Sequence, residues 1–181
     1  EIDSFKPEPY WQANALVKKV RYKHPKDMFD KKELEKFDKI KEVIAETTKK
    51  DELTPPPTPF DLTTLQREAY RFNHTSPSQT LQLAQKLYLD GVISYPRTSS
   101  QKIPDAIKPK DILKKLSKVF KEVKLATKSK PVEGAKSDPA HPSIYTTGEF
   151  KKLSEQEEKL YNLIVKRFIA CFCPDMKTAN K

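Results

Sequence analysis

The stretch SPSQTLQLAQKLYLDGVISYPRTSS, residues 76–100, decides how this chain folds. Ser76, Pro77 and Gln79 supply a capping hydroxyl, a proline for the first helical position and a side chain that reaches back to the cap, the chemistry of a helix start. Leu81, Ala84, Leu87 and Tyr88 then recur on one face, and Gly91 ends the helix. Beyond it comes a short apolar run, after which a phenol, a guanidinium and three hydroxyls fall within six residues, Tyr95 to Ser100. Pro96 fixes its own φ and holds Tyr95 extended, so the side chains of Tyr95 and Arg97, two apart, are expected on one side.

Upstream of this stretch, Asp61 is placed to cap a helix whose Leu62, Leu65, Ala69 and Phe72 face inward. Downstream, helices are expected over 111–121 and, from a Ser154-Glu155-Gln156-Glu157 box, over 154–173, where Pro174 stops the second. Residues 124–140 are expected to form a basic loop. Before Asp61, residues 49–59 hold four prolines and no apolar period, and are expected as a stiff extended connector. The region ahead of them is expected to give a strand over 10–20 and a surface helix after Asp30 with Leu34, Phe37, Ile40 and Ile44 on its buried stripe. The expected class is α+β and predominantly helical: a strand-containing part at 1–58, a mainly helical domain at 59–175, and a return at 176–181 towards the first.

Composition narrows the function. Among 181 residues, 35 Lys and Arg face 25 Asp and Glu, a formal net charge of +10. Such an excess favours a polyanionic partner through counterion release, with nucleic acid ahead of an anionic membrane. No run approaches the roughly 20 apolar residues that span a bilayer, so no membrane partner is expected. Glu1 is not an initiator, and the chain is expected to be a piece of something longer. Cys171 and Cys173 sit too close for an unstrained bridge and have no second ligand pair for zinc, as expected of reduced thiols in a cytoplasmic protein. With only Gly91, Gly134 and Gly148, no glycine-rich phosphate loop is available.

Tyr95 and Arg97 suit phosphoryl transfer, because a phenol is a weak nucleophile until positive charge stabilises its anion and the transition state. Thr98, Ser99 and Ser100 could donate to phosphate oxygens or could cap the segment that follows. From the residues alone, an ordinary strand-to-loop junction with exposed polar side chains would look the same. His24 and His74 read as surface or capping residues, and Trp11 as core rather than a base-stacking platform.

Four motifs in order carry a family resemblance. LYLDGVISYPRTSSQKIP at 87–104 closely resembles the active-site segment of type IA DNA topoisomerases, a helix ending in Leu-Tyr-x-x-Gly, an apolar run, then Tyr-x-Arg-Thr and a Ser or Asp. PTPFDLTTLQREA at 57–69 is similar to that family's Pro-Phe-x-x-x-x-Leu-Gln motif, and FKPEPYW at 5–11 to the opening of its arch domain. AHPSIYTTGE at 140–149 is similar to the Ala-His-x-x-Ile segment that returns a histidine to the pocket.

The resemblance implies roles. Tyr95 would be the nucleophile that links to a 5′ phosphate, Arg97 the positive charge beside it, and His141 a phosphate contact or proton donor. Thr98, Ser99, Ser100 and Lys102 would contact the DNA backbone. Residues 59–175 would be the nucleophile-bearing, CAP-like domain, and 1–58 part of the arch. The Tyr-Pro-Arg-Thr-Ser-Ser form, and Tyr145 where bacterial members have arginine, resemble the archaeal or topoisomerase III branch. The family holds magnesium on a Toprim domain rich in clustered carboxylates. No such cluster stands in this sequence, so no metal site is expected here, and the Toprim domain and the rest of the arch are expected as partners together with single-stranded or underwound DNA. The rival reading is a non-catalytic basic helical module that grips DNA and uses Tyr95 only for stacking. A tyrosine recombinase would need an Arg and a His-x-x-Arg ahead of Tyr95, and no His-x-x-Arg is there.

Overall fold

A computed structural model describes residues 6–38, 40, 50–138 and 140–180. They fall into two units, Glu1–Thr48 and Lys49–Lys181.

In the first unit, β1 (Asn14–Val17) and β2 (Val20–Lys23) pair antiparallel in a hairpin. Lys18 and Lys19 form its two-residue turn with φ of 48° and 68°, the left-handed conformation that matches strand twist. One strand over 10–20 was the expectation; the break within it carries no Asn-Gly or Asp-Gly signal, so nothing local marks it. Trp11 and Met28 exchange backbone hydrogen bonds of 2.8 and 2.9 Å below the hairpin, and Met28 is buried. Asp30 accepts the N–H of Lys32 at 2.9 Å and starts a 3₁₀ turn, Lys31–Leu34, that runs into α1 (Glu35–Asp38). Ile40 is exposed, contrary to its expected place on a buried stripe, because the helix has already ended at Asp38. Ile44 lies outside the described residues.

The second unit opens with β3 (Lys50–Thr54), antiparallel to β4 (Met176–Asn180) in register Lys50↔Asn180 to Thr54↔Met176. Part of the expected connector is therefore strand. Its partner lies far along the chain, and KDELT has no apolar alternation to announce pairing. The prolines follow it and lead to α2 (Leu62–Asn73).

The helix starts are local chemistry. Asp61 with Thr64, Ser76 with Gln79 and Ser154 with Glu157 each form a reciprocal capping box, at the heads of α2, α3 (Pro77–Leu89) and α5 (Glu155–Ala170). Helix α4 (Pro109–Leu116) is shorter than expected; a turn follows it, then a 3₁₀ segment at Lys121–Leu125. Helices α2, α3 and α5 pack around Leu65, Ala69, Ala84, Leu87, Leu160 and Ile164, all buried. Each leucine or isoleucine so buried stabilises by about 1.5–3 kcal/mol. Phe72 does not join them: it is exposed in the last turn of α2, with the Arg71 guanidinium 5.2 Å over its ring. His74 is the left-handed cap of that helix, at φ 54°.

Two polar ties lock the helices. Lys86 of α3 meets Glu157 of α5 at 2.8 Å. Arg167 of α5 lies 4.2 Å over the Phe60 ring, donates to the Thr58 carbonyl at 3.2 Å and pairs with Glu68. Cys171 and Cys173 are both free thiols, and burial pushes Cys171 up to about 12. No helix among the described residues is long and apolar enough to cross a membrane.

Candidate active site around Tyr95

Gly91, at φ 72°, ends α3 and releases a segment that is laced to residues 141–147. Thr147 donates its N–H to the Val92 carbonyl at 3.0 Å, and Ser94 donates to the Tyr145 carbonyl at 2.9 Å. The Ser94 hydroxyl donates to the Ser143 carbonyl at 3.0 Å and accepts the Tyr145 N–H at 2.9 Å. On its other side the segment meets the head of α2, where Leu62 N–H donates to the Thr98 carbonyl at 3.0 Å. Val92 and Ile93 anchor it in the core. From there burial alternates: Pro96, Thr98 and Ser100 are buried, while Arg97 and Ser99 are exposed and Tyr95 is half-buried. That is the period of an extended segment, and it sets Tyr95, Arg97 and Ser99 on the outward side.

Three rings gather there. The Tyr95 ring centroid lies 5.4 Å from that of His141 and 5.3 Å from that of Tyr88, the latter edge to face at 71°. Tyr88 comes from the last turn of α3 and is 39% exposed, so it belongs to this surface and not to the packing face expected of it. His141 is brought in by the Thr98 hydroxyl, which donates to its carbonyl at 2.7 Å.

Asp138 flanks the histidine, its Oδ2 at 3.5 Å from Nδ1. Among the described residues no hydrogen bond or ion pair engages Arg97 or Ser99. Thr98 and Ser100 turn their hydroxyls inward: Thr98 Oγ1 also accepts the Ser100 N–H at 3.0 Å, and Ser100 Oγ accepts the Lys102 N–H at 3.3 Å. The Lys102 ammonium pairs with Glu133 at 3.2 Å. Tyr145 is held by both backbone groups against Ser94, and burial pushes its phenol up.

Asp61 supports the same region from below. One carboxylate oxygen takes the Thr64 N–H at 2.7 Å, and the other takes Gln101 at 3.1 Å and Lys136 at 3.4 Å. Burial alone would raise this carboxyl; the Thr64 and Lys136 contacts more than offset it and hold it low. Tyr88 and Asp138 were not singled out in the sequence as site residues. Asp-Pro three residues before a histidine is the one local sign, since aspartate readily accepts from backbone N–H groups just ahead of it.

A family model described as DNA topoisomerase matches residues 1–181. The chain belongs to the DNA topoisomerase family. It is 41% identical over 191 residues to DNA topoisomerase 1 of Pyrococcus horikoshii, covering 95% of this chain and 28% of that protein. With DNA topoisomerase 1 of Methanothermobacter thermautotrophicus it shares 43% identity over 187 residues, covering 97% of this chain and 26% of the relative. Among solved structures, full-length topoisomerase I from Thermotoga maritima superposes with a TM-score of 0.62 at 28% identity, over 87% of this chain and 28% of that one. The chain thus spans between 26% and 28% of the length of these relatives. Both curated relatives are archaeal, in keeping with the branch that Tyr145 and the Tyr-Pro-Arg-Thr-Ser-Ser form suggested. Magnesium, which the family implies, finds no fit here: among the described residues no group of three or more His, Cys, Asp or Glu could hold a metal.

Proposed function

We propose that this chain carries the nucleophile of a type IA DNA topoisomerase, with Tyr95 attacking a phosphodiester of single-stranded or underwound DNA. The Tyr95 phenol oxygen forms a bond to phosphorus, its proton passes to solvent water, and the bond to the 3′ oxygen breaks, which yields a 5′-phosphotyrosine and a free 3′-hydroxyl. The same hydroxyl, attacking in reverse after strand passage, restores the DNA and the phenol. Charge on the transition state is met by Arg97, whose planar fork suits two phosphate oxygens. His141 gives the departing 3′ oxygen its proton, and Ser99 and Lys102 contact the backbone on either side, while Thr98 acts from within by holding His141.

The observation that carries this reading is the half-buried Tyr95 ring, packed against His141 on a surface where the Arg97 guanidinium is unengaged. Residues 59–175 would then be the nucleophile-bearing domain, with 1–58 and 176–181 belonging to the arch, and magnesium would reside on a Toprim domain of the complete enzyme. The test is relaxation of supercoiled DNA by the complete enzyme carrying Tyr95→Phe. The variant should bind DNA and fail to relax or cleave it. Retained relaxation would remove Tyr95 from the chemistry, and binding without any covalent adduct in the unaltered enzyme would leave the binding-module reading.

A further inference from the structure

Asp138 has no part in the reaction as described above, yet both of its carboxylate oxygens act on His141. Oδ1 accepts the N–H of Ala140 at 3.0 Å and of His141 itself at 3.3 Å, a tight turn that sets the direction of the backbone. Oδ2 lies 3.5 Å from Nδ1 of the same residue's ring. With the Thr98 hydroxyl on its carbonyl at 2.7 Å, His141 is held at its N–H, its C=O and one ring nitrogen. Nε2 is the ring nitrogen to which no partner is recorded among the described residues.

We infer that Asp138 is a positioning residue for His141: it orients the ring so that the imidazolium gives its Nε2 proton to the departing 3′ oxygen, and the neutral ring left behind keeps its hydrogen on Nδ1, facing the carboxylate. A neutral imidazole is a donor at one nitrogen and an acceptor at the other, and the partner of one decides the character of the other. A carboxylate beside Nδ1 disfavours a lone pair there. At 3.5 Å the contact is electrostatic and longer than a formed hydrogen bond, and catalytic contacts of this kind tighten when substrate arrives. His141 and Asp138 side chains are 48% and 34% exposed, so solvent screens their attraction and its effect is on orientation more than on stability. The inference rests on the roles proposed for Tyr95 and His141.

Asp138→Asn is the discriminating variant, since it keeps the Oδ1 acceptor of the turn and replaces the oxygen facing Nδ1 by a donor. The first measurement is the ¹⁵N shifts of the His141 ring in this chain at about pH 8, above the ordinary histidine range. The wild type should show the hydrogen on Nδ1, and Asp138→Asn should move it to Nε2 with the backbone spectrum otherwise retained. An unchanged tautomer overturns the inference. The second is single-turnover cleavage of a single-stranded oligonucleotide by the complete enzyme. Asp138→Asn should slow it about tenfold or more, within the roughly 10²–10⁴ that a positioned proton donor supplies. In a His141→Ala background the same change should have no further effect; an equal slowing there would make Asp138 structural. The tautomer does not depend on Tyr95 being the nucleophile, so cleavage by Tyr95→Phe would sink the proposed function and leave that first result standing.

Discussion

Thr98 shows how one side chain converts a sequence motif into a site. Its hydroxyl donates to the His141 carbonyl and accepts the Ser100 N–H, joining two segments more than forty positions apart. Thr98→Val keeps the shape and strands both backbone groups, which should cost about 1–3 kcal/mol in chemical denaturation. A variant as stable as the wild type would mean water replaces the hydroxyl. Arg97→Lys keeps the charge and loses the planar fork, so DNA binding should persist while cleavage slows; an equal loss of both would make Arg97 a binding residue only. Tyr95, Arg97 and His141 were legible in the sequence as motif residues. Tyr88 and Asp138 were not, because helical spacing counts Tyr88 with the packing face of α3, and a carboxylate three residues before a histidine reveals its ring contact only once the backbone path is known.

Helix starts were the most legible elements, and for a physical reason. A capping box is complete within four residues, so Asp61, Ser76 and Ser154 declare themselves without knowledge of the fold. The β3–β4 ribbon and the Lys18-Lys19 turn were not legible: the first depends on a partner some 120 positions away, and the second lacks the glycine that ordinarily marks such a turn. The α3–α5 tie gives a pH test. Lys86 first, then Ser154, hold the Glu157 carboxyl at about 2 against an ordinary 4.5. A depressed carboxyl contributes stability that is present above its unfolded value and is lost as pH falls through its folded one. Thermal melts should therefore show the wild type losing stability between pH 4.5 and about 2. Glu157→Gln should flatten that slope, and an unchanged slope would place the acid sensitivity in other carboxylates.

At the scale of the whole molecule, charge and core are separate properties of the sequence. The α2, α3 and α5 interior holds the second unit together, while the net charge of +10 favours a polyanionic partner without specifying it. Binding of single-stranded DNA by this chain should weaken linearly in log affinity against log salt, as phosphate neutralisation requires. Salt-independent binding would assign the affinity to ring stacking at Tyr88 and Tyr95.

The most direct measurement is mass spectrometry of the DNA-linked peptide from the complete enzyme, trapped in the act of cleavage and digested with trypsin. The peptide after Lys86 is LYLDGVISYPR, residues 87–97, and it contains two tyrosines, so fragment ions must separate Tyr88 from Tyr95. A nucleotide attached through its 5′ phosphate to Tyr95 is the expected result. Attachment to Tyr88, to any other peptide, or through a 3′ phosphate would contradict it.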